Sequence, residues 1–303
     1  MLTKWVILLV TIFVIACQPS GSDSDTLFLK GEALGTNNNK RLKEASGLVA
    51  SARYPGYLWT HNDSGHPADL FLLDSIGQTR AEFRLAKIKN RDWEDISMGP
   101  GPGDANYIYL GDIGDNNAQY QFKYLYRLKE PDLDQLEELH EVDTLVVKLD
   151  GEIHDTETLM IDPITKNIYI VTKREKNVGL YEIIFPFQED TLIASRIATL
   201  PLKQIVAGDI SPDGGEILLK NYNHIYYWRR PPGMSIGNAL MAPHMVLPYE
   251  RESAGESIAW AYDGSGFFTL GENIQGDRAK LYFYKRRQQL PADTSRTTSP
   301  IRP

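Results

Sequence analysis

A short polar-then-aliphatic motif recurs five times along the chain at nearly constant intervals, and this periodicity limits the possible folds more than any other feature. The motif reads Glu44-Ala45-Ser46-Gly47-Leu48, Trp93-Glu94-Asp95-Ile96, Thr156-Glu157-Thr158-Leu159, Ala207-Gly208-Asp209-Ile210 and Gly255-Glu256-Ser257-Ile258. Between the aliphatic residues the intervals are 48, 63, 51 and 48. The long interval contains Lys129 to Val142, an acidic, Leu-rich stretch that reads as a short surface helix inserted into the repeat. Without it the interval matches the others. Each motif is followed by further short apolar runs, as at 57–60, 70–73 and 81–85 in the first unit, and turns such as Pro212-Asp213-Gly214 and Asp263-Gly264 carry hairpin chemistry.

Four short strands per repeat of this length predict an all-β chain, a five-bladed β-propeller. The last unit lacks a fourth strand. Leu27 to Leu34 is apolar enough to supply it, closing the ring by pairing the beginning of the chain with its last blade. An open β-sandwich with irregular repeats would explain neither the spacing nor the incomplete last unit, and no helical repeat fits.

Ahead of the repeats, Lys4 precedes an apolar run from Trp5 to Ala16 that is too short to span a bilayer and has the form of an export signal. The run ends Val14-Ile15-Ala16-Cys17, which resembles a bacterial lipobox. Residues 1–16 therefore read as a signal peptide that is cut away. Cys17 reads as the lipid-bearing first residue of the mature protein, 17–25 as its polar tether, 26–287 as the propeller and 288–303 as a disordered Thr/Ser/Pro-rich tail. The expected location is the bacterial cell envelope, with the membrane as a partner through the anchor. Cys17 is the only cysteine, so once lipidated it leaves no thiol for a disulfide, a zinc-thiolate site or a nucleophile. With 32 basic residues against 40 acidic ones, a formal charge of −8, nucleic acid is excluded as the main partner, and nothing in the sequence calls for more than a monomer.

In a propeller the first strand of each blade lines the central channel and the second runs antiparallel beside it. First-strand starts and second-strand ends therefore open on one face. The starts carry Ser46, Glu94 with Asp95, Glu157, Asp209 and Glu256. The second-strand ends carry Asn62-Asp63, Asp112, Lys173-Arg174, Lys220-Asn221 and Glu272-Asn273. Carboxylates converging on a narrow axis repel one another unless a cation compensates them. All-oxygen ligands, without cysteine or paired histidines, favour a hard ion such as Ca2+ over zinc. The alternative for each acid is a bond to the backbone amides of the neighbouring blade. Lys173, Arg174 and Lys220 bring positive charge to the same mouth, which suits an anionic small-molecule substrate such as a phosphate, although Lys173 and Arg174 could instead pair with local acids. There is no Gly-x-Ser-x-Gly elbow and no His-Glu-x-x-His.

These motifs resemble those of the calcium-activated nucleotidases, apyrases of five-bladed propeller type that cleave nucleoside di- and triphosphates. Glu44-Ala45-Ser46-Gly47-Leu48 with Asn62-Asp63-Ser64-Gly65 is similar to that family's Glu-Ser-Arg-Gly-Met and Asp-Asp-Arg-Thr-Gly elements. Thr156-Glu157-Thr158 before Thr172-Lys173-Arg174 is similar to its His-Glu-Ala-Val and Leu-Pro-Arg-Arg, and Gly255-Glu256-Ser257-Ile258 to its Glu-Gly-Ile-Glu. The resemblance implies Ser46, Glu94, Glu157 and Glu256 as calcium ligands with Asp209 near a fifth position. It also implies Asn62, Asp63, Asp112, Lys173, Arg174 and Lys220 facing substrate. Two departures stand out: Ser64 replaces a family arginine, and Gly208-Asp209 replaces a serine pair. The first motif also resembles calcium-dependent phytase-like propellers. The expected chemistry is calcium-assisted attack of water on a phosphoanhydride or phosphate ester, with Asp63 or Asp112 as base. The competing expectation is a non-catalytic propeller that binds a sugar or protein at the same mouth.

Overall fold

The computed structural model describes residues 27–134, 138–273 and 278–287; the signal segment, Cys17 with its tether, and the tail at 288–303 lie outside them. After β1 (Glu32–Thr36) come β2 (Ala45–Ala50), β3 (Leu58–Asn62), β4 (Asp69–Leu73) and β5 (Thr79–Leu85), an antiparallel meander. A second meander joins β6 (Trp93–Pro100), β7 (Asn106–Asp112) and β8 (Lys123–Lys129) and, after the two-residue β9 (Glu138–Leu139), β10 (Asp143–Leu149). A third runs through β11 (Thr156–Ile161), β12 (Ile168–Thr172), β13 (Val178–Ile183) and β14 (Leu192–Leu200). The fourth comprises β15 (Ala207–Ile210), β16 (Glu216–Lys220), β17 (Ile225–Arg229) and β18 (Met245–Leu247), with α1 (Ile236–Met241) in its last connection. Finally β19 (Ser257–Trp260), β20 (Gly266–Leu270) and β21 (Lys280–Lys285) pair with β1.

These strands form four sheets, because a parallel pair between β10 and β14 merges the second and third meanders into one sheet of eight. The first strands touch in sequence, β2 to β6, β11, β15 and β19, and β19 returns to β2. The fold is all-β and β-propeller-like. Strands such as β2, β4, β11 and β15 are buried along their whole length, whereas outer β14 alternates between buried and exposed residues. A strand packed on both faces is buried throughout, and a strand with one face in solvent needs only one apolar face. Trp59 with Phe83 and Trp93 with Tyr126, each pair with ring centroids 5.9 Å apart, belong to one buried cluster shared by the first and second meanders.

The insert between Lys129 and Val142 differs from expectation. Its described residues contain no helix, and β9 instead adds a parallel fifth strand to the outer edge of β5. Backbone pairing at an open edge outweighed the Leu-rich composition that suggested a helix.

The beginning of the chain does complete the last meander. Phe28 bridges Arg286, the Leu29 amide donates to the Lys285 carbonyl at 2.8 Å, and the pairing continues through β1 to Thr36, two residues beyond the expected Leu34, across a bulge between Ala33 and Gly35. Phe28 is fully buried among Tyr227, Trp260 and Phe267, with ring centroids 6.0, 5.9 and 5.1 Å away. The Arg286 guanidinium lies 4.9 Å from the centre of its ring. Phe28→Ala should therefore destabilise the fold by about 3–5 kcal/mol, the usual cost of removing a buried phenyl ring. Denaturant unfolding measures this, and an unchanged midpoint would mean that the closing segment contributes nothing.

Candidate metal centre

Two local irregularities aim carboxylates into the channel. The β6–β7 register skips between Trp93 and Asp95, and the β11–β12 register skips between Thr156 and Thr158, which leaves Glu94 and Glu157 as the bulged residues of their first strands. A bulge takes a residue out of the ladder and redirects its side chain. Glu256 comes immediately before β19 and is bridged to Ser46 of β2. Asp63 follows β3, Asp92 precedes β6 and Glu272 follows β20, so all of these acids arrive at the same end of the ring.

They meet in two adjoining trios, Asp63 with Asp92 and Glu94, and Asp63 with Glu256 and Glu272, each with carboxylate oxygens within 4.8 Å of one another. Asp63 belongs to both. Lys173 reaches the cluster with its Nζ 2.8 Å from Glu157 Oε1 and 3.7 Å from Glu256 Oε1, while the Tyr222 hydroxyl donates to Glu256. Burial and the neighbouring charges of Glu256, Asp92 and Glu44 raise Asp63 to about 6, against the lowering effect of the Ser64 amide. Burial and Glu256 with Asp63 raise Glu272 to about 8. Glu157 rises to about 7 through burial, opposed by Lys173, and burial with the charges of Glu157 and Asp63 pushes Glu94 well above the carboxylate range. Lys173 is driven upward, the attraction of Glu157 and Glu256 outweighing its burial.

The expected site residues divide. Glu94, Glu157, Glu256, Asp63 and Lys173 come together as described. Asp209 does not join them. Its Oδ2 accepts the Trp260 amide at 2.8 Å, and it lines a cavity at the other end of the channel. In the repeat, Asp209 corresponds to Asp95, whose carboxylate likewise accepts the Leu159 amide of the next first strand at 3.0 Å. Gly208 occupies the position that Glu94 and Glu157 fill, so the fourth unit has no acid to offer. Ser46 is buried and its hydroxyl donates to the Glu94 carbonyl at 2.7 Å, tying β2 to β6.

Asp112 is not placed as a base. It accepts the Asp92 amide at 3.2 Å and the Tyr126 hydroxyl at 3.1 Å, and Arg91 Nε lies 3.2 Å away, so it holds the loop that carries Asp92. Asn62 is occupied in the same way, its Oδ1 accepting the Lys43 and Glu44 amides and its Nδ2 donating to the Arg41 carbonyl. Lys220 is fully buried and donates to the Gly255 carbonyl, and burial lowers it to about 8. Arg174 pairs with Asp155 at 2.6 Å. Of the three expected substrate cations, only Lys173 touches the acids.

Asp92 and Tyr222 carry no signal in the repeat because they sit in loops of differing length. Glu272 was visible as a second-strand end without an assigned role. The donor set, carboxylate oxygens with a phenol nearby, fits a hard divalent cation. Fold and site together define a β-propeller-like protein with a carboxylate-lined channel mouth. No family model matches the chain, and no curated protein matches it. Among solved structures it is similar to the PQQ-bound form of an aldose sugar dehydrogenase from Streptomyces coelicolor, at 12% identity and a TM-score of 0.49, covering 84% of this chain and 97% of that one. That likeness concerns overall shape alone. None of these comparisons supports the nucleotidase resemblance.

The raised carboxyl groups set a pH dependence for the metal-free protein. An acid whose folded pKa lies above its unfolded value keeps its proton longer in the native state, so native protein binds more protons between the two values and stability falls as pH rises. For Asp63, Glu157 and Glu272 that window runs from the ordinary carboxylate range up to about 6, 7 and 8. In chelator, the melting temperature should decline from about pH 5 to pH 8. A rise over this interval, read by scanning calorimetry, would show that burial does not raise these acids in the folded protein.

Proposed function

We propose that the chain is a five-bladed β-propeller, lipid-anchored through Cys17 in the bacterial cell envelope, whose acidic mouth holds a hard divalent cation of the Ca2+ type and there receives and hydrolyses a phosphate-bearing anion. The observation that carries this reading is the sharing of Asp63 between two carboxylate trios. Five acids so close together in partial burial are strained without a compensating positive charge, and one lysine does not balance them. Asp63, Asp92, Glu94, Glu256 and Glu272 would hold the ion. When bound, such a cation supplies charge neutralisation and polarises phosphoryl oxygen and water.

The chain's own residues would do the rest. Lys173, held between Glu157 and Glu256, would offset charge on the incoming anion. Asp63, common to both trios, would bridge them as a ligand of the ion. Tyr222, whose hydroxyl contacts Glu256, would fix that ligand in place. A second reading, a cation-dependent binding module without turnover, is favoured by one fact: Asp112, Arg174 and Lys220 are all engaged in internal bonds.

Calcium should raise the melting temperature of the wild type, since a ligand bound only by folded protein stabilises it by roughly 2.7 kcal/mol at a hundredfold excess over Kd. Asp63→Asn should lose most of that increment and all calcium-dependent phosphate release from nucleotides. Asp209→Asn, a change at an inter-strand bond, should lower the melting temperature equally with and without calcium. A wild type indifferent to calcium would sink the metal centre and the reaction together. A calcium response without phosphate release selects the binding module.

The anchor is checked separately. Metabolic labelling with a fatty acid should mark the wild type and leave Cys17→Ser unmarked; equal incorporation into both would exclude lipidation at Cys17.

A further inference from the structure

The two faces of the ring differ in kind. β19 and β21 run in the same direction, because each is antiparallel to β20. Glu256 and the carboxylate cluster lie at the start of β19, so the last residues of β21 lie at the opposite end. The first described residues pair with them there: the Arg287 amide donates to the Leu27 carbonyl at 2.9 Å, and Phe28 bridges Arg286. Both described ends of the chain thus leave from the face away from the acids.

That face also displays exposed apolar side chains. Ile164, 62% exposed, lies in the β11–β12 turn, and Ile184, 69% exposed, with Phe185 in the β13–β14 connection. Phe185 is held beside the first of these turns, its amide donating to Asn167 Oδ1 at 3.0 Å and Lys166 Nζ lying 5.2 Å from the centre of its ring. Tyr262, in the β19–β20 turn, lines the cavity at this mouth together with Pro163 and Lys166. Leu29, half exposed, sits beside the chain's point of departure. Large exposed apolar groups mark a surface that meets something apolar; on the acidic side Tyr120, Phe122 and Ile153 are exposed only to 41%, 39% and 37%, less than Ile164 and Ile184.

We propose that this face rests on the lipid bilayer, with Ile164, Ile184, Phe185 and Tyr262 dipping into the interface and the acidic mouth turned away from the membrane. The proposal rests on the Cys17 anchor. Cys17 stands ten residues before Leu27, and a chain of that length reaches at most about 35 Å when fully extended. The eight residues of β6 alone cover about 26 Å of the ring's height. Inverting the body would require the tether to run nearly straight along its whole side.

The test uses the full lipidated chain in vesicles of phosphatidylethanolamine and phosphatidylglycerol with brominated acyl chains. An environment-sensitive fluorophore is attached through Ile184→Cys or, in the exposed β12–β13 loop on the acidic side, Lys176→Cys. The probe at 184 should be quenched several-fold more than the probe at 176. Equal quenching, or stronger quenching at 176, overturns the orientation. Shielding of the 184 probe without vesicles would assign the face to a second copy of the chain and overturn it too. Flotation of the same samples separates the two readings: protein that floats but shows no difference in quenching refutes the orientation alone, whereas protein that does not float refutes the anchor on which it depends.

Discussion

Every first strand of this protein is the inner edge of its meander, and an edge strand presents amides and carbonyls that no ladder satisfies. Side chains of the neighbouring unit resolve this. Asp95 accepts the Leu159 amide, Ser97 the Ile161 amide and Asp209 the Trp260 amide, while Ser46 donates to the Glu94 carbonyl. The ring is stitched from within by polar residues whose burial is tolerable because each is hydrogen-bonded. That constraint also sorts the acids around the axis: those standing in the regular ladder serve as stitches, and those displaced from it are left facing the channel.

The displaced acids create the electrostatic problem that gives the site its character. Glu94 and Glu157 are bulged out of their strands, and loops add Asp63, Asp92 and Glu272 around Glu256. Burial raises Asp63, Asp92, Glu94, Glu157 and Glu272 above the ordinary carboxylate range, and neighbouring negative charges add to the rise of Asp63, Glu94 and Glu272. Lys173 relieves the side near Glu157 and Glu256 but does not reach Asp92. The surrounding bonds are arranged to hold this unfavourable cluster rigid. Asp112 secures the Asp92 amide, Lys220 the Gly255 carbonyl and Asn62 the amides ahead of β2. Residues that looked like substrate contacts are better understood as the frame that keeps the acids from relaxing apart.

Most of the fold was legible before any coordinates. The repeat spacing, the hairpin turns and the missing strand of the last unit all follow from patterns that span a few residues each, and the β1–β21 pairing supplied the missing strand from the segment expected to do so. The Lys129 to Val142 insert was misjudged because a helix and an edge strand accept similar Leu-rich sequences, and only the open edge of β5 decides between them.

The sequence by itself determined that Glu94, Glu157 and Glu256 recur in phase, because a repeat fixes which residue of each unit stands beside the axis. It could not determine which recurring acid is free. Glu94 and Asp95 are adjacent in the chain, yet a single skipped residue sends one into the channel and the other to a neighbour's amide. Nor could it bring Asp92, Tyr222 and Glu272 to the cluster, since loops of unequal length follow no period. Those choices belong to the tertiary structure: hydrogen-bond satisfaction at a strand edge depends on what the next sheet presents, and that is a property of the closed ring and not of any one segment.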